Sequence, residues 1–192
     1  MNILGIHIGH DSGAAVVVDG RIVADIAEER LNRVKHWCGL PTRSAREVLR
    51  IAGLSIEDID IIAVPTSGPL PMLNYLFDLH SDARREQRGR EARALEFLKK
   101  VRGGVNMTDT PLYYPNLPLA KSTRVVHVEH HLAHAASAYY TSGSEEKQLI
   151  VTMDGAGDNV STAVWRGEGR RIEPLQRWSL NGSLGLFYGN VT

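Results

Sequence analysis

Two distant stretches of this chain, ILGIHIGHDSGAAVVVDGRIVADI (residues 3–26) and LIVTMDGAGDNVSTAVWRGEGRRIEPL (149–175), follow one plan. Each runs apolar strand, Gly/Asp-rich turn, second strand, Gly-containing hairpin, third strand. In the first, Asp19-Gly20 between apolar runs is the signature of a tight hairpin, so three strands in antiparallel succession are expected. The chain thus starts the same unit twice.

The intervening sequence supplies the helices. SAREVLRIAG places Ala45, Val48, Leu49 and Ala52 on one helical face, Ser44 and Glu47 match a capping box, and Gly53 suits the C-terminal stop. DIDIIAVP (58–65) reads as a buried strand ended by proline. Residues 70–103 pair an apolar piece with the charged ARREQRGREARALEFLKKV, which reads as a solvated helix face or an inserted helical hairpin. NMTDTPLYYPNLPLAKS, with three prolines, is an irregular connection, and RVVHVE and KQLIVTMD are further strands. The expected division is a first subdomain over 1–145, with a helical insertion at about 68–120, and the start of a second over 146–192. The chain closes on the apolar SLGLFYGNVT, and further polypeptide is expected to follow it.

Composition narrows the classes of function. Lys+Arg and Asp+Glu balance at 22 each, which offers no overall attraction for nucleic acid or a membrane surface. The single cysteine, Cys38, can make no internal disulfide, the N-terminus lacks a signal-peptide pattern, and no apolar run approaches the roughly 20 residues that span a bilayer. The expectation is a soluble cytoplasmic protein.

Glycine in the two Gly/Asp turns lets backbone N–H groups approach an anion closely, and nearby acidic groups can hold a cation or orient water. Gly9, His10, Asp11, Ser12 and Gly13 supply the first turn; Asp154, Gly155, Gly157 and Asp158 supply the second. Paired strand–turn–strand units resemble those of actin, sugar kinases and acetate kinase. That resemblance implies a duplicated ribonuclease-H-like fold with a mixed sheet and nucleotide between its halves, the second half truncated here. ATP is then the expected cofactor, on Gly9, Ser12, Gly13, Gly155, Gly157 and Asp158.

VEHHLAHAASAYY (128–140) concentrates three histidines at the start of a helix-compatible run. His130 and His134 are i and i+4 and share a face, whereas His131 lies about 100° round the helix. Two imidazoles on one face can clamp a metal. The pattern is not HExxH, since His131 stands where a zinc protease would carry its glutamate base. Asp154, at the end of the next strand, is the best third ligand, with Ser137 and Tyr139 less suited; two imidazoles and a carboxylate suit iron(II), zinc or manganese. The competing reading has His130 capping the helix and His134 packed in the core.

Taken together, ILGIHIGHDSGAAVVVDGRIVADIAEERLNRVKH, EHHLAHAASAYY, VTMDGAGD and SLGLFYGNVT, in this order, resemble the N-terminal portion of the O-carbamoyltransferases of nodulation-factor and antibiotic biosynthesis. The resemblance runs from residue 3 to 192 and is weakest at 70–120; Gly13 stands where many relatives carry a second serine. It implies similarity to the enzyme that transfers threonylcarbamoyl to tRNA, whose metal-binding HxxxH pair corresponds to His130 and His134, and it leans toward iron. It also implies a C-terminal domain, absent from this chain, that makes carbamoyl-adenylate from carbamoyl phosphate and ATP. The N-terminal part then passes the carbamoyl group to a hydroxyl of a small-molecule acceptor. A base must help deprotonate that hydroxyl, and His10, Asp11 and His36 all lie in family-like motifs (GHDSG, RVKH). Two other readings share the fold: a sugar-kinase-like ATPase that needs no histidine pair, and a non-catalytic remnant domain.

Overall fold

The computed structural model describes residues 1–8, 11–65, 123–144 and 146–191. The expected insertion at about 68–120 and the candidates Gly9 and His10 lie outside the described residues. Two compact units emerge, each with its own core.

In the first unit, β1 (Asn2–His7), β2 (Gly13–Val18) and β3 (Arg21–Ala27) form the expected antiparallel succession, and β4 (Ile61–Val64) pairs parallel to β1. With β5 (Arg124–His127) they make a mixed sheet of order β3-β2-β1-β4-β5. Asp19 and Gly20 both take positive φ, 49° and 80°, which matches the right-handed twist of the strands they join. Alternation with period two turns Leu4 and Ile6, Ala14 and Val16, and Ile62 and Val64 to one face. Helix α1 (Glu28–Asn32) leads toward α2 (Thr42–Ala52), which lays Ala45, Val48 and Leu49 on β2 and β3 to close that core.

The stop of α2 is as expected, with Gly53 at φ 67°. Its start is not. No side-chain cap joins Ser44 and Glu47: Glu47 pairs with Arg50, and Ser44 is fully buried against Glu28. Glu28 Oε2 accepts from the Ser44 backbone N–H and hydroxyl, both at 2.7 Å, and Oε1 accepts from the Arg43 N–H at 3.2 Å. A buried carboxylate from outside the helix thus satisfies the orphan N–H groups of its first turn. A carboxylate-to-serine cap does occur one element later, where Asp58 accepts from the Ser55 backbone N–H and hydroxyl.

In the second unit, β6 (Gln148–Gly157), β7 (Val160–Glu168) and β8 (Arg171–Ser179) form an antiparallel meander. Of the expected turn over Asp154–Asp158, all but Asp158 forms the irregular far end of β6, where the register to β7 breaks between Met153 and Gly157. The reversal itself falls on Asp158 and Asn159, at φ 50° and 65°. Helix α3 (His130–Thr141) packs on β6 and β7 and buries Ala135 and Tyr139 against Ile150, Ala163 and Trp165. By that packing α3 shares a core with the strands that follow it and falls in the same compact unit as they do. Gly167 makes the packing possible, since a Cβ there would stand 2.6 Å from the Tyr139 ring. Helix α4 (Leu184–Val191) lies against β6.

Candidate metal centre

Glu129 starts α3. Its carboxylate accepts from the N–H groups of His131 (3.2 Å) and Leu132 (2.9 Å), and Asp158 accepts from the His130 N–H at 2.9 Å. The two carboxylates meet the positive end of the helix, so the cap is acidic and His130 caps nothing.

One turn of helix then brings His130 and His134 together. Their Nε2 atoms are 3.0 Å apart, and Asp154 Oδ2 lies 2.8 Å from His130 Nε2 and 3.6 Å from His134 Nε2. Two ring nitrogens at that distance leave room for one proton between them, so at least one presents a lone pair to the other. Ligand atoms bound about 2.0–2.2 Å from a common ion, at angles between octahedral and tetrahedral, stand roughly 2.8–3.6 Å from each other, the range that the three separations span. The imidazoles, His130 foremost, hold the Asp154 carboxyl well below the usual carboxylate range against the opposing effect of burial. His134 keeps a 55% exposed side chain, which excludes the core-packing reading and leaves the trio open to solvent on that side.

Asp154 is itself held. Its Oδ1 accepts from the Gly155 N–H at 2.6 Å, and the Ser183 hydroxyl lies 3.1 Å from the Asp154 carbonyl and 2.9 Å from that of Gly155. Gly185 lets α4 approach, since a Cβ there would meet the Asp154 backbone at 2.5 Å. Ser183 and Gly185 were missed in the sequence, although SLG within the terminal motif carries both.

His131 joins the trio through neither ring nitrogen, although its ring stands edge-on to those of His130 and His134, with centroids 5.6 and 6.2 Å away. It is fully buried, with Nε2 3.0 Å from the Val160 carbonyl and Nδ1 2.9 Å from Thr152 Oγ1. A carbonyl only accepts, so Nε2 carries the proton, and Nδ1, left with a lone pair, accepts from the threonine hydroxyl, whose other acceptor, the Ala163 carbonyl, stands farther off at 3.3 Å. Burial lowers its proton affinity, in keeping with that neutral ring. Tyr139 donates to the Gly169 carbonyl and is no ligand.

The cofactor candidates divide. Gly155 and Gly157 belong to β6, Asp158 is committed to the start of α3, and Gly13 is a strand residue whose missing Cβ would lie 2.9 Å from the Ile26 carbonyl. Ser12 is fully buried, and its Oγ has no hydrogen-bond partner among the described residues.

In the first unit the structure joins two candidates that are far apart in sequence. His36 Nδ1 is 2.9 Å from Asp11 Oδ1, with side chains 79% and 52% exposed. Both residues take positive φ, 56° at Asp11 and 53° at His36, a conformation costly for side chains other than glycine and concentrated at functional sites. Glu29 Oε2 accepts from the His36 N–H at 3.0 Å and secures that backbone.

Fold and site define an α/β protein with a two-histidine, one-carboxylate set on a helix and the strand after it. The sequence pattern of the family described as carbamoyltransferase N-terminus matches residues 2–192, and the chain belongs to that family. It is 36% identical to nodulation protein NolNO of Sinorhizobium fredii over 93% of this chain and 24% of that protein. It is 33% identical to the uncharacterized protein sll1178 of Synechocystis over 95% of this chain and 30% of that one. The chain therefore spans less than a third of the length of these relatives. Among solved structures, YeaZ from Pseudomonas aeruginosa aligns at a TM-score of 0.46 and 15% identity, covering 93% of this chain and 67% of that one. The Aquifex aeolicus PPX-GPPA enzyme aligns at 0.43 and 12%, covering 99% and 55%, and neither likeness is strong enough to assign a fold. Among the described residues no helix is long and apolar enough to cross a membrane.

Proposed function

We propose that this chain is the N-terminal part of a carbamoyltransferase that passes a carbamoyl group from carbamoyl-adenylate, made from carbamoyl phosphate and ATP, to a hydroxyl of a small-molecule acceptor. The observation that carries the reading is the convergence of His130, His134 and Asp154, in a chain of the carbamoyltransferase family, on a point fit for one divalent ion. The two antiparallel meanders are read as the openings of the two halves of a duplicated ribonuclease-H-like fold, the second of which this chain only begins. Adenylate formation is assigned to the further polypeptide that the longer relatives carry.

His130, His134 and Asp154 would hold the metal, of which iron(II) is the first choice and zinc or manganese the others, and the metal supplies positive charge to phosphate oxygens when bound. The remaining steps belong to side chains. His36 donates its Nδ1 proton to Asp11, which fixes the tautomer and leaves Nε2 as the acceptor for the hydroxyl proton. The hydroxyl oxygen bonds to the carbamoyl carbon, the bond from that carbon to the phosphate oxygen breaks, and AMP leaves. The Ser12 hydroxyl, buried and unpartnered among the described residues, is a donor left over for a ligand oxygen. General-base catalysis of this kind contributes about 10²–10⁴-fold, so His36→Gln and Asp11→Asn should each lower kcat by roughly that range.

The test is to offer the full-length protein ATP, carbamoyl phosphate and a panel of hydroxylated acceptors and to follow the added carbamoyl group by mass. Transfer that disappears in the double variant His130→Ala/His134→Ala, with folding intact, is expected. Phosphate transfer that ignores that substitution would instead mark a kinase.

A further inference from the structure

We propose that His131 is a positioning residue whose buried ring sets the rotation of α3 and so aims His130 and His134 at Asp154. The inference rests on the metal reading above and deepens it. The ring is tied to two adjacent strands at once. Its Nε2–H donates to the Val160 carbonyl on β7, and its Nδ1 accepts from Thr152 on β6. The threonine oxygen in turn accepts from Trp165 Nε1, 3.2 Å away at the centre of the core. Every polar atom in this chain of contacts has a partner, which makes the arrangement expensive to disturb.

Adjacent helical residues are separated by about 100°, so fixing one ring on the sheet fixes the direction of its neighbours. A rotation of about 20° would carry an atom at the helix surface, about 5–6 Å from the axis, by about 2 Å. Metal–ligand distances tolerate only about ±0.2 Å. The ligand pair therefore depends on an anchor one residue away that touches neither the ion nor Asp154.

The experiment is a cobalt(II) titration, followed by visible absorption, of the wild-type chain and of His131→Phe, His131→Gln and Thr152→Val. Folding of each is checked by far-UV circular dichroism. Loss of the anchor should weaken cobalt affinity about 10–100-fold and alter the ligand-field bands in folded His131→Phe. Glutamine, whose carboxamide keeps one donor and one acceptor like the neutral ring, should restore part of both. Thr152→Val exchanges the hydroxyl for a methyl of similar size, takes a partner from both His131 and Trp165, and should act in the same direction, so it decides the matter if the phenylalanine variant does not fold. Wild-type affinity and spectrum in the folded variants would overturn the inference. Wild-type protein that takes up no cobalt would overturn the metal reading instead. Positioning is then read in the metal-free protein from the NMR contact between the rings of His130 and His134, which should vanish in His131→Phe or Thr152→Val and whose persistence overturns the inference.

Discussion

Gly157 and Gly155 sit two residues apart on β6 and do different work. A Cβ on Gly157 would lie 2.0 Å from His130 Cδ2, so the glycine is the space that receives the His130 ring. A Cβ on Gly155 would meet only the Leu186 side chain, at 3.7 Å. Gly157→Ala should therefore weaken metal binding at least about tenfold by displacing His130, while Gly155→Ala leaves it near wild type, as a cobalt titration would show. An anion-binding turn would have made both positions sensitive. Asp154 is the companion case: Asp154→Asn keeps the shape and removes the carboxylate, so metal uptake should fall, and because the folded state holds that carboxyl ionised, the urea midpoint near neutrality should fall with it.

At the level of elements, the beginnings of helices are where charge enters this fold. Glu28 supplies acceptors to Ser44 and Arg43 at the head of α2 from a position only 2% exposed. Glu28→Ala strands the Ser44 N–H in the interior and leaves its hydroxyl only the Pro41 carbonyl, 3.3 Å away, which costs about 1–3 kcal/mol, measurable as a lower urea midpoint. The Ser55–Asp58 contact gives a pH signature. The Ser55 N–H, and after it the hydroxyl, hold the Asp58 carboxyl below its ordinary range. The folded state thus binds a proton less readily than the unfolded chain. The contribution is present above the unfolded carboxylate value and is lost as pH falls through the folded one. The stability difference between wild type and Asp58→Asn should accordingly be largest near neutrality and vanish in acid, as urea midpoints against pH would show.

The described residues form two cores, one around Leu4, Ile62 and Val48 and another around Tyr139, Ile150 and Trp165. A ligand that binds only the folded form stabilises the unit that holds it, by about 2.7 kcal/mol at a hundredfold excess over Kd. Metal added to the chain should therefore slow hydrogen exchange in α3 and β6–β8 and leave β1–β4 near their metal-free rates. Protection that spread to β1–β4 would mean that the two cores unfold as one.

Local chemistry made much of this readable. The Asp19-Gly20 reversal, the apolar face of α2, the Gly53 stop and the i, i+4 pair of His130 and His134 each follow from the preferences of a few neighbouring residues, and a sequence states those directly. The start of α2 was misread because its capping carboxylate, Glu28, lies 16 residues from Ser44. Likewise, Gly157 looked like part of an anion-binding turn because its neighbour in space, His130, is remote in the chain. Neighbouring residues set the periodicity of the elements and put two histidines of the candidate metal site on one helical face. Tertiary structure alone decided which atoms meet: the joining of Asp11 to His36, the anchoring of His131 on two strands, and the 2.8 Å approach of Asp154 to His130. Distances between side chains far apart in sequence are set by packing, and packing is a property of the folded whole.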